Sequence, residues 1–361
     1  MATLIEYKCP NCGGALSFDS DTQKMNCPYC DSELEMEALL ELDAALHQRQ
    51  EDQMDWQTQP QNVWVEDEAK LLNSYICQSC GGEIVCDENT AATSCPYCDN
   101  PVVLSGRLSG SLRPDLVIPF QMDKEAAKEA LKKHVNKRPL LPKIFKDENH
   151  IQEIKGIYVP FWLFDADANG DVRYRATRVR VWSDSNYTYT KTSHYSVRRA
   201  GKLGFCGVPV DGSTKMSDSM MESIEPYDIT KAVDFQTAYL AGYLADKYDI
   251  SADNSISRAN ERIKNSTVEA LSRTVTGYSS VTPIDSSVQL ENSRVRYALF
   301  PVWILNTRYK EKNFLFAMNG QTGKFVGDLP IDVGRLFAFW GGIAGAVGVL
   351  SWLISRLTEL L

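Results

Sequence analysis

Four Cys-x-x-Cys pairs fall in two identical frames, and no other feature constrains this chain as tightly. The first frame is Cys9-Pro10-Asn11-Cys12-Gly13-Gly14, with fourteen residues from Gly13 to Asn26, then Cys27-Pro28-Tyr29-Cys30. The second is Cys77-Gln78-Ser79-Cys80-Gly81-Gly82, again followed at fourteen by Cys95-Pro96-Tyr97-Cys98, so every cysteine recurs 68 positions on. Each Cys-x-x-Cys forms a tight turn that aims two sulfurs at one point. Two such turns joined by a hairpin give a closed tetrahedral site, which suits zinc held by four thiolates with no open position. The glycines after Cys12 and Cys80 let backbone amides turn toward the sulfurs in conformations other residues resist. The expected metal ligands are Cys9, Cys12, Cys27 and Cys30 in one ribbon and Cys77, Cys80, Cys95 and Cys98 in the other, with two zinc ions per chain.

Cys-Pro-Tyr-Cys also serves as a dithiol redox motif on thioredoxin-like folds. That use needs a strand before it and a long helix after it. Here each copy follows its own Cys-x-x-Cys-Gly-Gly, and Asp99-Asn100-Pro101 does not start a helix. A disulfide framework fits poorly with a chain that shows no signal peptide at Met1. Cys86 and Cys206 lie outside both frames and read as small buried apolar residues, Cys86 aligning with Phe18.

The net charge of −9 is unevenly spread. Residues 1–104 hold 19 acids against 4 bases, net −15, while 105–361 hold 28 acids and 34 bases, net +6. A ribbon that grips phosphates needs a basic face. Lys8, Lys24 and Lys70 are the lysines on or beside these ribbons. Protein docking is therefore favoured over direct nucleic-acid binding.

After Cys30, Asp31 or Ser32 reads as a helix cap, and Met36, Leu39, Leu40 and Leu46 repeat at helical spacing. This segment reads as a spacer between the ribbons, with a partner-binding or self-pairing helix as the other option. Beyond Val102, helices are expected at 123–136 and about 255–274, separated by apolar runs broken by turn residues. Ile157–Phe164 resembles Ala298–Leu305 through a shared Pro-x-Trp, which suggests two related units, each a helix on an antiparallel sheet.

From Leu336 to Ser355 twenty residues pass without a charge, flanked by Arg335 and Arg356. A helix of that length spans about 30 Å, the thickness of a bilayer core. Trp340 and Trp352 lie toward its two ends, where indoles favour the interface. Ala338, Gly342 and Ala346, with Gly341 and Gly345, give a small-residue face on which helices of two chains could pair. Thiolate-bound zinc persists in reducing cytosol, so the N-terminal domains are expected on the cytoplasmic side of a single-pass anchor in the cell membrane.

His47, His134, His150 and His194 form no catalytic or metal spacing, and no hydrolase, zincin or dinucleotide fingerprint occurs. Asn319–Lys324 superficially resembles a phosphate loop, but Met318 and Phe325 replace required residues, so it reads as a hairpin turn. No enzyme activity is expected. Arg173, Arg175, Arg178, Arg180, Lys191, Arg198, Arg199 and Lys202 are interleaved with Tyr174, Trp182, Tyr187, Tyr189 and Tyr195. Solvated strand faces with aromatics packed inward explain this stretch. Binding to anionic lipid, to an acidic protein or to nucleic acid are the alternatives.

Taken together, the two ribbons, Gly156–Trp162, Ser223–Asp228, Ala317–Lys324 and the apolar C-terminal segment resemble the bacterial TFIIB-type double zinc-ribbon membrane proteins of the YdjG kind. The resemblance covers most of the chain. It implies a role as membrane partner of SPFH (flotillin-like) scaffolds and PspA-like membrane-stress proteins, and it implies no catalytic residues. The expected organisation is α+β: zinc ribbon 1 at 1–32, a helical spacer at 33–68, zinc ribbon 2 at 69–104, α+β units at 105–210 and 211–332, and a transmembrane helix at 335–356. The expected function is a membrane-anchored adaptor that recruits a cytosolic scaffold by protein–protein binding. A nucleic-acid or transcription-associated ribbon protein is the alternative.

Overall fold

The computed structural model describes residues 7–9, 11–12, 14–40, 51–58, 62, 64, 66–69, 71–87, 92, 94–107, 112–146, 153–310, 312–327 and 330–360. The chain forms two compact units. One comprises Met1–Asp55, Ala166–Phe205 and Asn260–Ser293; the other comprises Trp56–Asp165, Cys206–Ala259 and Arg294–Leu361. The units draw on the chain in interleaved pieces, whereas the sequence reading divides it into consecutive segments. The cause is three long strands, Lys155–Ser183, Thr188–Asp211 and Ser280–Tyr309, each of which supplies residues to both.

The larger unit is built on a mixed sheet. Its hydrogen-bonded order is Val233–Asp234, Leu116–Val117, Ser280–Tyr309, Lys155–Ser183, Leu244–Asp246, Glu83–Asp87, Leu72–Cys77 and Val102–Arg107. The expectation of a purely antiparallel sheet is corrected by two short parallel pairings. Leu244 and Ala245 pair with Ile157 and Tyr158, and Leu116 and Val117 pair with Ala298 and Leu299. These contacts fall at matching places in the two Pro-x-Trp strands. Just beyond them, Gly212 N donates to Pro160 O at 2.9 Å and Gly320 N to Pro301 O at 2.8 Å.

The helices cover the sheet through similar contacts. Lys124–Asn136 is capped by the Asp123 side chain, which accepts from Ala126 N. It buries Ala127, Leu131 and Val135 with Trp303, Leu305, Phe316 and Met318. The start of Ala252–Ser272 buries Ala252 and Ala259 with Tyr158, Trp162, Phe164 and Val210. Spacings of four in the first helix and of seven in the second place these residues on one face, as an amphipathic helix requires.

In the smaller unit, alternation along 171–176 turns Val172, Tyr174 and Ala176 inward and Asp171, Arg173 and Arg175 outward. The inward set packs with Val197, Leu271 and Val275. Gly170 is required here, because a Cβ would lie 2.5 Å from Thr267 Cγ2 of the covering helix. The segment at 51–55 is tied in by an Asp52–Lys264 ion pair of 2.6 Å and by a bridge between Gln53 and Gln289.

Two local expectations change. Residues 33–34 form a strand against Lys24–Asn26, and helix begins only at Met36, because Asp31 adopts a left-handed turn (φ 54°) that ends the Cys27–Cys30 knuckle. Leu46, the last expected apolar repeat, lies outside the described residues. Cys206 is exposed, not buried, since strand alternation turns it outward with Lys202 and Gly204, while Cys86 is fully buried as expected. Asn319–Lys324 is a hairpin turn: Asn319 Oδ1 accepts from Gln321 N and Thr322 N, and Gly323 takes φ 74°. The last helix, Val333–Leu360, contains a twenty-residue, largely apolar stretch from Val333 to Trp352. It is long and apolar enough to cross a membrane, and none of that stretch is buried.

Candidate metal centres

Both tetrads are assembled. Cys9, Cys12, Cys27 and Cys30 place their sulfurs within 4.8 Å of one another, and so do Cys77, Cys80, Cys95 and Cys98. The nearest pairs are Cys12–Cys27 at 3.4 Å, Cys77–Cys98 at 3.5 Å, and Cys9–Cys30 and Cys80–Cys95 at 3.6 Å. A tetrahedral ion with metal–sulfur bonds of about 2.3 Å holds its sulfurs roughly 3.8 Å apart, so a small adjustment, the nearest pairs opening slightly, fits one ion to each cluster. In each tetrad the first cysteine of each knuckle is buried and the second is more open. Each cluster could therefore hold one metal ion.

The knuckles owe their shape to short backbone bonds. Cys9 N donates to Gly14 O at 2.7 Å and Cys77 N to Gly82 O at 2.9 Å. Cys27 N donates to Ser32 O, and Cys95 N to Asn100 O. The residue after the second cysteine is left-handed at Gly81, Asp31 and Asp99, with φ of 69°, 54° and 58°. Aspartate tolerates that region better than most residues, which explains why Gly is not needed there.

A second layer ties knuckle to knuckle. Asn11 Nδ2 donates to Ser32 Oγ at 2.9 Å in the first ribbon, and Asn100 Nδ2 donates to Ser79 Oγ at 3.1 Å in the second. Positions 11 and 79 correspond in the 68-residue frame, as do 32 and 100. The same bond is made in both ribbons with donor and acceptor exchanged. Sequence reasoning missed this pair, although the frame alignment that matched the cysteines also matched Asn with Ser at both places. Hydrogen bonds and burial pull the thiols of each tetrad apart: Ser32 holds the Cys30 thiol down to about 6, while Cys12, which the Gly14 amide lowers, is pushed up to about 12 by bonds with Cys27 and Cys30, and burial pushes Cys80 and Cys95 up. Cys98 lies at about 7 because, although burial raises it, bonds from Asn100 and from Cys77 and Cys80 outweigh that. Thiolates are the form that binds metal.

The chain is 37% identical over 352 residues to the uncharacterized protein YdjG of Bacillus subtilis (strain 168), covering 98% of each chain. The chain belongs to the YdjG family. No family model and no solved structure matches it.

The surroundings of the two ribbons in this YdjG-family chain are unlike. The first forms its own three-stranded sheet of Ser17–Asp19, Lys24–Asn26 and Glu33–Leu34. Its Tyr29 is 74% exposed and Phe18 is 53% exposed. The second is built into the large sheet, Glu83–Asp87 pairing with Leu244–Asp246. Its Tyr97 is only 7% exposed and donates to Asp246 Oδ2 at 2.7 Å, an oxygen that also accepts from Ser213 Oγ at 2.6 Å. Lys155 reaches Ser94 and Asp99 at 2.6 and 2.8 Å. Burial pushes the carboxyl of Asp246 up to about 7 and that of nearby Asp211 up to about 8. Asp246 Oδ1 and Asp211 Oδ2 are buried without a hydrogen-bond partner among the described residues. Neither carboxyl carried a signal in the sequence, because the partner of Tyr97 lies 149 residues away.

Proposed function

We propose that this YdjG-family chain is a membrane-anchored adaptor: two TFIIB-type ribbons each hold one zinc ion, and the first docks a cytosolic scaffold of the SPFH or PspA type. The single observation that carries this reading is the contrast between the two Cys-Pro-Tyr-Cys tyrosines. Tyr97 is spent on the chain's own core, whereas Tyr29 stands in solvent, and Phe18 of the same ribbon is exposed as well. An exposed aromatic on a rigid, metal-held knuckle is the kind of residue that anchors protein interfaces. Four thiolates in a closed tetrad favour zinc and leave no position for substrate, so the metals hold shape and perform no chemistry.

The apolar helix Val333–Leu360 supplies the anchor, and zinc thiolates place the ribbons in reducing cytosol. No catalysis is assigned to the body. The matched parallel pairings and helix contacts of the two Pro-x-Trp strands support an internal duplication, read as short strand, helix, long strand and return strand, with each short strand lent to the other copy's long strand.

The test is recruitment in cells. A fluorescent SPFH- or PspA-type scaffold is imaged with the full chain and with a chain lacking residues 1–32. The adaptor reading expects membrane recruitment with the first and diffuse scaffold with the second, both chains remaining in the membrane. Recruitment that survives the deletion would move the docking surface to the body. A single- or double-stranded DNA shift by the full chain in physiological salt, with no scaffold recruited, would favour the nucleic-acid reading.

A further inference from the structure

The hairpin made by the outer ends of Lys155–Ser183 and Thr188–Asp211 has a surface that neither core uses. The last buried residue on the outgoing strand is Ala176, and the first on the return is Val197. Seven residues of strand beyond Ala176 extend about 23 Å at the usual rise. The turn is fixed by Asp184, whose side chain accepts from Asn186 N, Tyr187 N and Tyr189 Oη. Trp182 stacks on Tyr189 at 5.6 Å, Tyr187 lies 6.3 Å from Tyr189, and Arg178 sits 5.6 Å over Tyr195.

Strand alternation, together with those contacts, puts Arg178, Arg180, Trp182, Tyr187, Tyr189, Lys191 and Tyr195 on one face. Trp182 and Tyr187 are 50% and 67% exposed. Arg180 and Lys191 have no ion-pair partner among the described residues, and the stretch 171–202 carries 8 bases against 2 acids. The opposite face of the tip also carries apolar groups, with Val179 and Val181 exposed across from Thr188, Thr190 and Thr192. A stacking platform for a nucleic-acid strand uses one aromatic and basic face and has no use for exposed apolar groups on its back. A tip with apolar groups on both faces, aromatic rings and flanking cations suits the headgroup region of a bilayer, where indole and phenol rings settle and Lys and Arg meet anionic lipid.

We propose that the Val179–Lys191 hairpin tip dips into an anionic phospholipid surface, Trp182, Tyr187 and Tyr189 entering the interface while Arg180 and Lys191 engage lipid phosphates. This inference rests on the reading that Val333–Leu360 anchors the chain. It gives the chain a second, reversible hold on the membrane, sensitive to lipid charge and to salt.

The test uses the full chain in nanodiscs of phosphatidylcholine, or of phosphatidylcholine with phosphatidylglycerol, brominated near the glycerol end of the acyl chains. Bromine quenches only tryptophans that reach it. The difference between the chain and its Trp182→Phe variant isolates Trp182; the difference with a Trp340→Phe/Trp352→Phe variant isolates the anchor. Quenching of Trp182 is expected in the anionic discs. It should be lost in neutral discs, in an Arg180→Glu/Lys191→Glu variant, and at about 1 M salt, where the Debye length shrinks to about 3 Å. No Trp182 quenching beside quenched Trp340 and Trp352 overturns the hairpin proposal and leaves the anchor standing. Equal Trp182 quenching in neutral and anionic discs overturns the role given to Arg180 and Lys191. Absence of quenching at all three tryptophans overturns both readings. Retention of a single-stranded oligonucleotide by the chain but not by the Trp182→Phe variant, with no lipid quenching, assigns the face to nucleic acid instead.

Discussion

Tyr29 and Tyr97 hold the same place in two copies of one motif, yet their surroundings give them opposite duties. Tyr97→Phe leaves Asp246 short of a donor inside the core and should cost about 1.5–3 kcal/mol. Tyr29→Phe touches only solvent-facing surface and should stay within about 0.5 kcal/mol. Urea unfolding of the two variants measures the contrast. The neighbouring carboxyls add a pH dependence whose sign is fixed. Asp246 and Asp211 sit at about 7 and about 8 in the folded chain, far above an unfolded carboxyl near 4. Folding therefore takes up protons between those values, and stability falls as pH rises. The urea midpoint should drop from about pH 4 to about pH 8 and then level off, and Asp211→Asn should flatten the upper part of that slope. A midpoint that stays level across this window would show that both carboxyls fold in the charged form. The cysteines themselves were legible from spacing alone, because four sulfurs around one ion demand two knuckles. The Asn–Ser ties and the two carboxyls were not, because their meaning depends on which chains fold over them.

At the scale of elements, what could be read followed from length and periodicity. Lys124–Asn136 announces itself with Asp123 as cap and an apolar stripe, and Val333–Leu360 with its uncharged run. Leu116–Val117 and Leu244–Asp246 span two and three residues, too short to carry a period, so the parallel pairings they make were invisible. The helix expected from Asp31 failed for a local reason: the knuckle needs Asp31 left-handed, and Glu33–Leu34 then completes the ribbon's sheet. The two glycines that close on the Pro-x-Trp strands provide a test of the packing. A Cβ on Gly320 would lie 2.7 Å from the Phe120 ring and 2.8 Å from Pro301 Cβ, while one on Gly212 meets its nearest atom, Pro160 O, at 3.3 Å. Gly320→Ala should therefore cost about 1–3 kcal/mol through overpacking, and Gly212→Ala clearly less. Denaturation midpoints of the two variants, compared with the parent chain, decide it; equal midpoints would contradict the close approach at Gly320.

Over the whole molecule, charge and hydropathy are segregated along the chain: an acidic segment at 1–104, a mildly basic body, and an apolar helix. That order suits a protein held at a membrane by one end and offering its metal-held ribbon to a partner at the other. A chain ended at Asp332 should stay in the supernatant after alkaline extraction, whereas the full chain should sediment with membranes. The reverse result for the full chain would make Val333–Leu360 a packing helix for another protein surface. The second ribbon's strands are part of the large sheet, so cutting there would open the body, whereas the first ribbon's three strands pair with one another in a sheet of their own. Everything in this account depends on both tetrads being closed around metal. Native mass spectrometry of the full chain, released from detergent, counts the ions directly. The prediction is two zinc ions per chain, one in Cys12→Ser and one in Cys95→Ser, the second variant also losing stability in the body because structural zinc contributes on the order of 10 kcal/mol to the domain that binds it. A parent chain carrying one ion or none, or one with a Cys27–Cys30 disulfide in place of the metal, would contradict it.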